Sequence, residues 1–326
     1  MQRVRVPAGE FAASQWAALA QAARTLSPDE PLHLTTRQDV EIHGLTAETV
    51  PQAQAILAQA GLTCVGACGD TIRNVTVCPC SGVCSGCPDL TDLARRITEL
   101  LQAEPGAFAL PRKLKVCLSA CPKACSMPYI NDLGLVAKPA DGGWRFDVVV
   151  AGSLGAKPAT GIPLGRDIGP DEALPLALAA LRLFAARGNR ENRRAARLRH
   201  VRQTVGDAEF LDLLGQQFQA TLAERTWPRI ELASPQPGLP AKQTLHFDDG
   251  NMVIEAADAL ASLAGRDGIR VRVAPHHRVI VFGRSDQALS AAIAEAGLAS
   301  HSRKGPRVVT CPGTRWCSRA LADTQA

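Results

Sequence analysis

The apolar positions in the first sixty residues of the chain follow two different periods. Residues 12–24 carry alanine and leucine at helical spacing, residues 32–44 alternate apolar and polar side chains, and residues 48–62 return to helical spacing. The last of these segments reaches Gly61, and glycine is a common residue just after the end of a helix. The pattern therefore predicts a helix, a strand and a second helix.

The same order of elements returns near the other end of the chain. Residues 251–265 and 286–298 have helical spacing, and residues 269–283 between them alternate. Each copy is followed by a short apolar strand that runs into a Cys-Pro pair, at 74–84 and at 307–317. A repeat of this length predicts two pseudo-symmetric halves, because a solenoid would need several short units.

Between the two copies lies a segment of different character. Residues 144–155 favour strand, and residues 171–187 favour helix. Residues 190–202 contain six arginines and no aromatic residue, a composition that favours a solvated connecting helix over a nucleic-acid-binding face. Residues 232–242 hold three prolines and one glycine, so a linker into the second half is expected there.

The composition is that of a globular protein whose cores are built from small and aliphatic side chains. Hydrophobic residues make up 46% of the chain and aromatic residues only 4%. No stretch approaches the roughly 18 apolar residues of a membrane span, and the N-terminus lacks the apolar region of a secretory signal, so a cytoplasmic location is expected. The net charge of +5 suits a small anionic substrate or an acidic electron carrier, and is too small to indicate nucleic acid.

Eleven cysteines in a reducing compartment indicate metal ligation or catalysis rather than a disulfide framework. Cys78 and Cys84 have five residues between them, and Cys121 and Cys125 have three. Four thiolates suit an iron–sulfur cluster, in which each iron takes one cysteine. Structural zinc is the alternative, but its pairs usually have gaps of two to four residues. The spacing therefore favours iron–sulfur.

The remaining cysteines leave the choice of ligands partly open. Cys80 and Cys87 lie beside the first pair in sequence, and Cys117 lies beside the second. Cys64 and Cys68 precede both pairs, and we interpret them as small packed side chains, since free cysteine behaves as a small hydrophobe.

Several segments in this order resemble the sulfite and nitrite reductase haemoprotein family. They are LTTRQDVEIHG at 34–44, GDTIRNVTVCP at 69–79, LPRKLKVCLSACPKAC at 110–125, INDLGLVAK at 130–138, VVAGSLGAKP at 149–158 and the tract NRRAARL. The resemblance covers residues 10 to 205, and 235 to 324 more weakly. Members of this family add six electrons to sulfite or nitrite at a sirohaem bridged to a 4Fe-4S cluster.

The resemblance implies a role for particular residues. Cys125 would be the thiolate shared between the cluster and the sirohaem, and Gln38 and Asn74 would face the cofactor. Cations suit such a site, because arginine holds an oxyanion in a fixed fork and lysine can release a proton. The implied cluster ligands are Cys78, Cys84, Cys121 and Cys125, and the implied substrate-side cations are Arg37, Arg73, Lys113 and Lys115.

The expected fold is α+β, with duplicated ferredoxin-like half-domains and a mixed α/β domain for the 4Fe-4S cluster and the sirohaem. The expected limits are residues 1–68 for the first half-domain, 69–228 for the cofactor domain, 229–306 for the second half-domain and 307–326 for the start of an incomplete second cluster domain.

The second copy departs from the family pattern. His276 and His277 align with Arg37 and Gln38, which favours a half that has lost the chemistry over a metal-binding pair. Cys311 and Cys317 repeat the five-residue gap without a second pair to follow, and no role is assigned to them. A C-terminally shortened member is expected, with a homodimer or a hetero-partner completing the site.

The expected activity is sirohaem-dependent reduction of sulfite or nitrite, with electrons from ferredoxin or a flavoprotein. Two alternatives remain open. One is an enzyme resembling precorrin-3B synthase, which has a cluster but acts on a tetrapyrrole. The other is a non-catalytic subunit that holds a cluster or zinc for a larger complex.

Overall fold

The computed structural model describes residues 1–155, 157–235, 238–299, 309, 313–318 and 320–324. They form two compact units, one of residues 1–65 with 237–326 and the other of residues 66–236. We call them the paired half-domain unit and the cysteine unit. Cys311 lies outside the described residues, and the four predicted domain limits stay predictions.

The first half-domain begins the paired half-domain unit. Its elements are strand β1 (Gln2–Val4), helix α1 (Ala13–Leu26), strands β2 (Leu32–Leu34) and β3 (Val40–Ile42), and helix α2 (Thr49–Gln59). β2 and β3 form an antiparallel hairpin, and β1 pairs with β3. The single strand predicted over 32–44 is therefore wrong, because alternation alone does not distinguish one long strand from two short ones joined by a polar turn.

Over its described residues, the cysteine unit contains a five-stranded sheet and four α-helices. Its elements are β4 (Thr76–Val77), α3 (Thr91–Ala103), β5 (Val116–Ser119), β6 (Leu133–Ala140), β7 (Gly143–Val150), β8 (Ile162–Pro163), α4 (Ala173–Arg187), α5 (Leu198–Val205) and α6 (Asp207–Ala223). The strand order is β4-β5-β6-β7-β8, with β4, β5 and β6 parallel and the rest antiparallel. The helix predicted near 171–187 is confirmed as α4.

The second half-domain completes the paired half-domain unit with β9 (Ala241–His246), β10 (Asn251–Met252), α7 (Ile254–Ala264), β11 (Arg270–Ala274), β12 (Arg278–Gly283), α8 (Asp286–Glu295) and the short α9 (Gly313–Trp316). β11 and β12 form a hairpin, and β9 pairs with β12 as β1 pairs with β3. The strand predicted over 269–283 is thus also a hairpin, and the internal repeat is a repeat of helix, hairpin and helix.

The two half-domains exchange strand pairings. Glu10, which follows a 3-10 turn (Pro7–Gly9) in the first half, forms a β-bridge with Arg272 of the second half. In return, β10 of the second half pairs with β2 of the first, with Met252 opposite Leu32. Helices α1 and α7 pack against each other over one shared core. Each half therefore buries the other, as predicted for two pseudo-symmetric copies, and the α+β class with ferredoxin-like halves is confirmed.

Among the residues that the structure describes, no helix combines the length and the apolar character needed to cross a membrane.

Candidate site for an iron–sulfur cluster and an oxyanion

Two parallel neighbours, β4 and β5, organise the predicted site residues of the cysteine unit. Thr76 lies opposite Cys117, and Val77 lies opposite Leu118. A bridge between Ile72 and Leu114 extends the pairing toward the start of both strands. Parallel strands need a crossover connection, which α3 supplies. The strands are buried, as their runs of valine and leucine predict.

Both cysteine loops leave the sheet at the same edge. Cys78 follows β4 directly, and its amide donates to the carbonyl of Leu118 at 2.9 Å. Cys121 follows β5, where the Ser119 hydroxyl donates to the Cys121 carbonyl at 3.1 Å. Because the carboxyl ends of parallel neighbours meet at one edge, the two predicted cysteine pairs are brought to the same end of the sheet.

The first cysteine loop is a tight turn that depends on a glycine. The amides of Val83 and Cys84 donate to the Cys80 carbonyl, both at 3.1 Å. Gly82 has φ of +68°, and a Cβ there would lie 2.5 Å from the carboxylate of Asp89. Glycine meets both requirements, because it has no Cβ and adopts positive φ readily.

The second loop holds two non-glycine residues in the left-handed region, Ala124 with φ of 51° and Met127 with φ of 61°. Such conformations cost free energy and are concentrated at functional turns. They bracket Cys125, whose side chain is exposed, whereas Cys78 is only 2% exposed.

Cys87 also belongs to this group of thiols. Burial, together with the neighbouring thiols of Cys121, Cys84 and Cys80, raises the pKa of the Cys87 thiol to about 12. The Cys87 thiol is hydrogen-bonded to Cys121. The structure therefore adds Cys87 to the candidate ligands, a possibility that the crowding of cysteines in the sequence left open.

The donor set fits a cluster of several irons. Within the described ranges, no three His, Cys, Asp or Glu side chains converge as they would on one metal ion. A four-iron cluster does not require such convergence, since each iron takes its own thiolate, and soft thiolates are the ligands that it prefers.

Three of the predicted cations lie together at the other end of the same strands. Arg73 precedes β4, and its amide donates to the Leu114 carbonyl at 2.8 Å. Lys113 and Lys115 precede β5 two residues apart, so they share one face of the extended chain. All three side chains are half-buried, and the Arg73 guanidinium donates to the Ala67 carbonyl at 2.9 Å.

The cations and the cysteines of this unit thus occupy opposite ends of one strand pair. Lys115 lies just before β5 and Cys121 two residues after its end, so at most roughly 20 Å of chain separates them. The structure brings each predicted set together but does not bring one set to the other. Asn74, predicted to face the cofactor, is fully buried next to Arg73.

Arg37 and Gln38 belong to the paired half-domain unit, in the turn of the β2–β3 hairpin. The Thr35 hydroxyl accepts from the amides of Arg37 and Asp39, at 3.2 and 3.0 Å. Gln38 has φ of 63°, is fully buried and donates from Nε2 to the Val273 carbonyl at 2.9 Å. Burial raises the pKa of Asp39 to about 6, against the effect of Arg3, Arg5 and Arg37.

The turn of the second hairpin repeats this geometry with different side chains. His276 and His277 have φ of 66° and 58°, so both halves turn through left-handed residues. His277 is buried with its ring 5.3 Å from that of His33, and burial lowers its pKa to about 4. The neutral imidazole is therefore the stable form at neutral pH.

Sequence reasoning missed two carboxylates of the cysteine unit, Asp70 and Asp132, which hold the segments that carry the cations. Their partners include arginines from residues 190–202. No spacing rule connects residues more than sixty positions apart, so only the folded chain shows them.

Comparison with protein families accounts for both units. Residues 68–222 match the family model described as the nitrite and sulphite reductase 4Fe-4S domain, and residues 1–60 match the nitrite/sulfite reductase ferredoxin-like half domain. The chain belongs to the nitrite and sulphite reductase family. The resemblance drawn from the sequence motifs is thereby confirmed.

Curated relatives in this family carry nitrite reductase names. The chloroplastic ferredoxin–nitrite reductase of Zea mays is 28% identical over 355 residues, which cover 100% of this chain and 62% of the relative. The ferredoxin–nitrite reductase of Synechococcus elongatus is 28% identical, with 100% and 67% covered. The assimilatory ferredoxin-dependent nitrite reductase of Haloferax mediterranei is 30% identical, with 90% and 55% covered. The chain thus spans about three-fifths of the length of these family members.

Two solved structures share the fold. The NirA protein of Mycobacterium tuberculosis superposes with a TM-score of 0.83 at 24% identity, over 98% of this chain and 61% of that one. Dissimilatory sulfite reductase I gives a TM-score of 0.56 at 14% identity, over 70% and 71%. At these identities the likeness extends to the fold alone.

Proposed function

We propose that the chain is a redox enzyme that reduces nitrite, with sulfite as the alternative substrate, by six electrons from ferredoxin. The observation that carries the proposal is the arrival of two cysteine loops at one edge of the β4–β5 pair, inside the segment that matches a 4Fe-4S domain. The names of the relatives favour nitrite over sulfite and ferredoxin over a flavoprotein.

The proposed ligands of the 4Fe-4S cluster are Cys78, Cys84, Cys121 and Cys125, with Cys125 shared with the sirohaem. When bound, the cluster and the sirohaem supply electrons one at a time and an iron at which the anion is held. Cys87 is the alternative ligand, because its thiol contacts Cys121. A reducing compartment such as the cytoplasm would keep these thiols available.

The cations are proposed to act on the oxyanion. Arg37 and Arg73 would hold its negative charge, since a guanidinium presents donors in a fixed fork. Lys113 and Lys115 would donate protons to the oxygen atoms, so that each oxygen leaves as water. Fixed positive charge is effective in such a site because it stabilises charge without reorganisation. Gln38 and Asn74 would orient the cofactor.

The opposite positions of the two sets in the cysteine unit bear on assembly. Lys115 precedes β5 and Cys121 follows it, up to roughly 20 Å apart, whereas the proposed site needs cations next to the cluster. The cysteine unit therefore needs cations from outside itself to complete a site. A twofold homodimer, in which each copy supplies cations to the other's cysteines, is the proposed arrangement, and a hetero-partner is the second choice.

Anaerobic purification followed by absorption spectroscopy and metal analysis tests the function. The expected result is a Soret band with a red-region band, about four cluster irons and four acid-labile sulfides per chain, and oxidation of reduced ferredoxin that depends on nitrite or sulfite. A broad shoulder without the two bands would contradict the sirohaem. A colourless protein that contains zinc would contradict the proposal and would support a non-catalytic binding subunit instead.

A further inference from the structure

The arginine-rich residues 190–202, which we call the arginine segment, bond back onto the cysteine unit. The segment contains a short 3-10 turn (Arg193–Ala195) and the start of α5. The guanidiniums of Arg190 and Arg202 donate to the carbonyls of Ala109 and Thr160, at 2.9 and 3.1 Å. The solvated helix expected from composition is correct only in part, since residues 190–194 are exposed but the helix α5 begins only at Leu198.

Arg197 makes the most buried of these contacts. Its Nη2 donates to Oδ2 of Asp132 at 2.8 Å, and the two side chains are 10% and 0% exposed. The same carboxylate oxygen accepts from the main-chain amide of Lys115, also at 2.8 Å. Asp132 is itself fixed, since its carbonyl accepts from Ala151 at 2.8 Å. One buried carboxylate thus joins the arginine segment to the residue that carries a proposed proton donor.

Asp70 makes a second, more exposed link of the same kind. Its carboxylate pairs with Arg112 at 2.8 Å and with Arg193 of the arginine segment. Its carbonyl accepts from the amide of Leu110 at 3.0 Å. Asp70 therefore connects the segment before Arg73 to the segment that leads into Lys113.

We propose that the arginine segment positions the substrate-side cations. Arg197 and Asp132 are the positioning residues for Lys115. Arg193 and Asp70 have the same role for Arg73 and Lys113, which precede β4 and β5. The inference rests on the proposed function, since it gives those cations their substrate. Asp132 and Arg197 do not touch the anion. They act by holding the main chain from which the lysine projects.

Such positioning matters because a lysine side chain rotates about four bonds. Its amine can deliver a proton to a defined place only if the main chain that carries it is fixed. A displacement of about 1 Å at a reacting group can lower a rate by roughly a hundred-fold. Charge-assisted hydrogen bonds such as those to Asp132 are shorter and stronger than neutral ones, which makes a buried carboxylate an effective anchor.

The test compares Arg197→Gln and Asp132→Asn with Arg194→Gln, which removes the same charge from an exposed position of the same segment. We expect the first two variants to increase amide hydrogen exchange in the peptide that contains Lys115, and to lower kcat/KM for nitrite by roughly ten-fold to a hundred-fold. Iron content and absorption bands should not change. Arg197→Lys, which keeps the charge, should recover most of the loss, and Arg194→Gln should match the wild type.

A double variant separates positioning from a general structural effect. If Arg197 acts through Lys115, adding Arg197→Gln to Lys115→Ala should lower kcat/KM for nitrite less than two-fold below that of the single lysine variant. The reason is that no amine is left to position. Fully additive losses would overturn the proposal. So would unchanged exchange and unchanged kcat/KM in a folded Arg197→Gln protein.

Arg197→Gln leaves a buried carboxylate without its cation and can prevent folding. Asp132→Asn combined with Arg197→Met removes both charges, and the same exchange and activity results are expected of it. If the wild type reduces neither nitrite nor sulfite, the proposed function fails. Amide hydrogen exchange in the peptide that contains Lys115 still shows whether Arg197 and Asp132 hold this segment in place. If Lys115→Ala is fully active but Arg197→Gln is impaired, the positioning role is wrong.

Discussion

The amide of Cys78 donates to the carbonyl of Leu118 at 2.9 Å, so the first cysteine of one loop is tied to the strand that leads into the other. This bond extends the parallel pairing of β4 and β5 by one residue beyond Val77. As a result, two cysteine loops that are far apart in sequence begin side by side. The arrangement leads to a specific expectation for metal content.

Replacing Cys121 by Ser should remove most of the cluster iron, because a four-iron cluster takes one thiolate per iron and this residue begins the second loop. The cluster content of the variant is measured by iron and acid-labile sulfide analysis of the anaerobically purified protein. Cys68→Ser is the control, since Cys68 is exposed and outside both loops. If Cys121→Ser keeps its iron while Cys87→Ser loses it, the proposed ligand set is wrong.

Lys113→Ala and Lys115→Ala should leave the absorption spectrum intact and lower kcat for nitrite and sulfite by roughly ten-fold to ten-thousand-fold. The reason is the loss of the proposed proton donors. Replacing Arg37 or Arg73 should raise KM more strongly, through the loss of anion binding. Lys123→Ala, exposed at the cysteine edge, is the matched control. Unchanged steady-state rates in the double lysine variant would remove these residues from the mechanism.

A mixture of two inactive variants tests the dimer. Lys113→Ala with Lys115→Ala keeps the cysteines, and Cys121→Ser keeps the lysines. If each copy completes the other's site, subunit exchange between them should restore one intact site in each mixed dimer, up to about a quarter of wild-type activity. Activity assays after co-expression and sedimentation of the loaded protein measure it. An active, cofactor-loaded monomer contradicts the proposed assembly.

Gly9 and Gly61 form a matched pair in the paired half-domain unit, since both have φ of +72°. A Cβ at Gly9 would meet the Val273 carbonyl and the side chain of Gln38, whereas nothing lies within 4 Å of a Cβ at Gly61. Gly61→Ala should cost about 1 kcal/mol of unfolding free energy through backbone strain alone. Gly9→Ala should cost roughly 1–3 kcal/mol more through overpacking. Equal urea-unfolding midpoints for the two variants would contradict this packing.

His277 should make the paired half-domain unit less stable in acid. Burial, assisted by His33 and His276 and opposed by Asp249 and Glu41, lowers its pKa to about 4, from an ordinary 6.5. The stabilising contribution of the neutral ring is complete above pH 6.5 and is lost as the pH falls through about 4. Urea unfolding between pH 7 and 4.5 should therefore show a steeper loss for the wild type than for His277→Gln. Parallel curves would mean that this ring is not buried in neutral form.

Local patterns in the chain determined the helices and the duplication, although not the two hairpins, and they indicated the types of residue proposed for the chemistry. Alanine-rich helical spacing predicts α1 and α7, and the equivalence of the turns at Gln38 and His277 follows from the internal repeat. The cysteine gaps and the runs around Arg73 and Lys115 are enough to recognise the family. Apart from the repeat itself, these signals lie within short stretches, where spacing along the chain reflects neighbourhood in space.

Only the tertiary structure decided how these parts are distributed. Parallel pairing of β4 and β5 places Cys78 beside the Cys121 loop and puts Lys115 at the far end of the same strands. The strand directions that cause this separation arise from the crossover through α3, which no local pattern encodes. The anchor between Arg197 and Asp132 joins residues 65 positions apart, and it forms because folding removes both charges from water and leaves each as the other's partner.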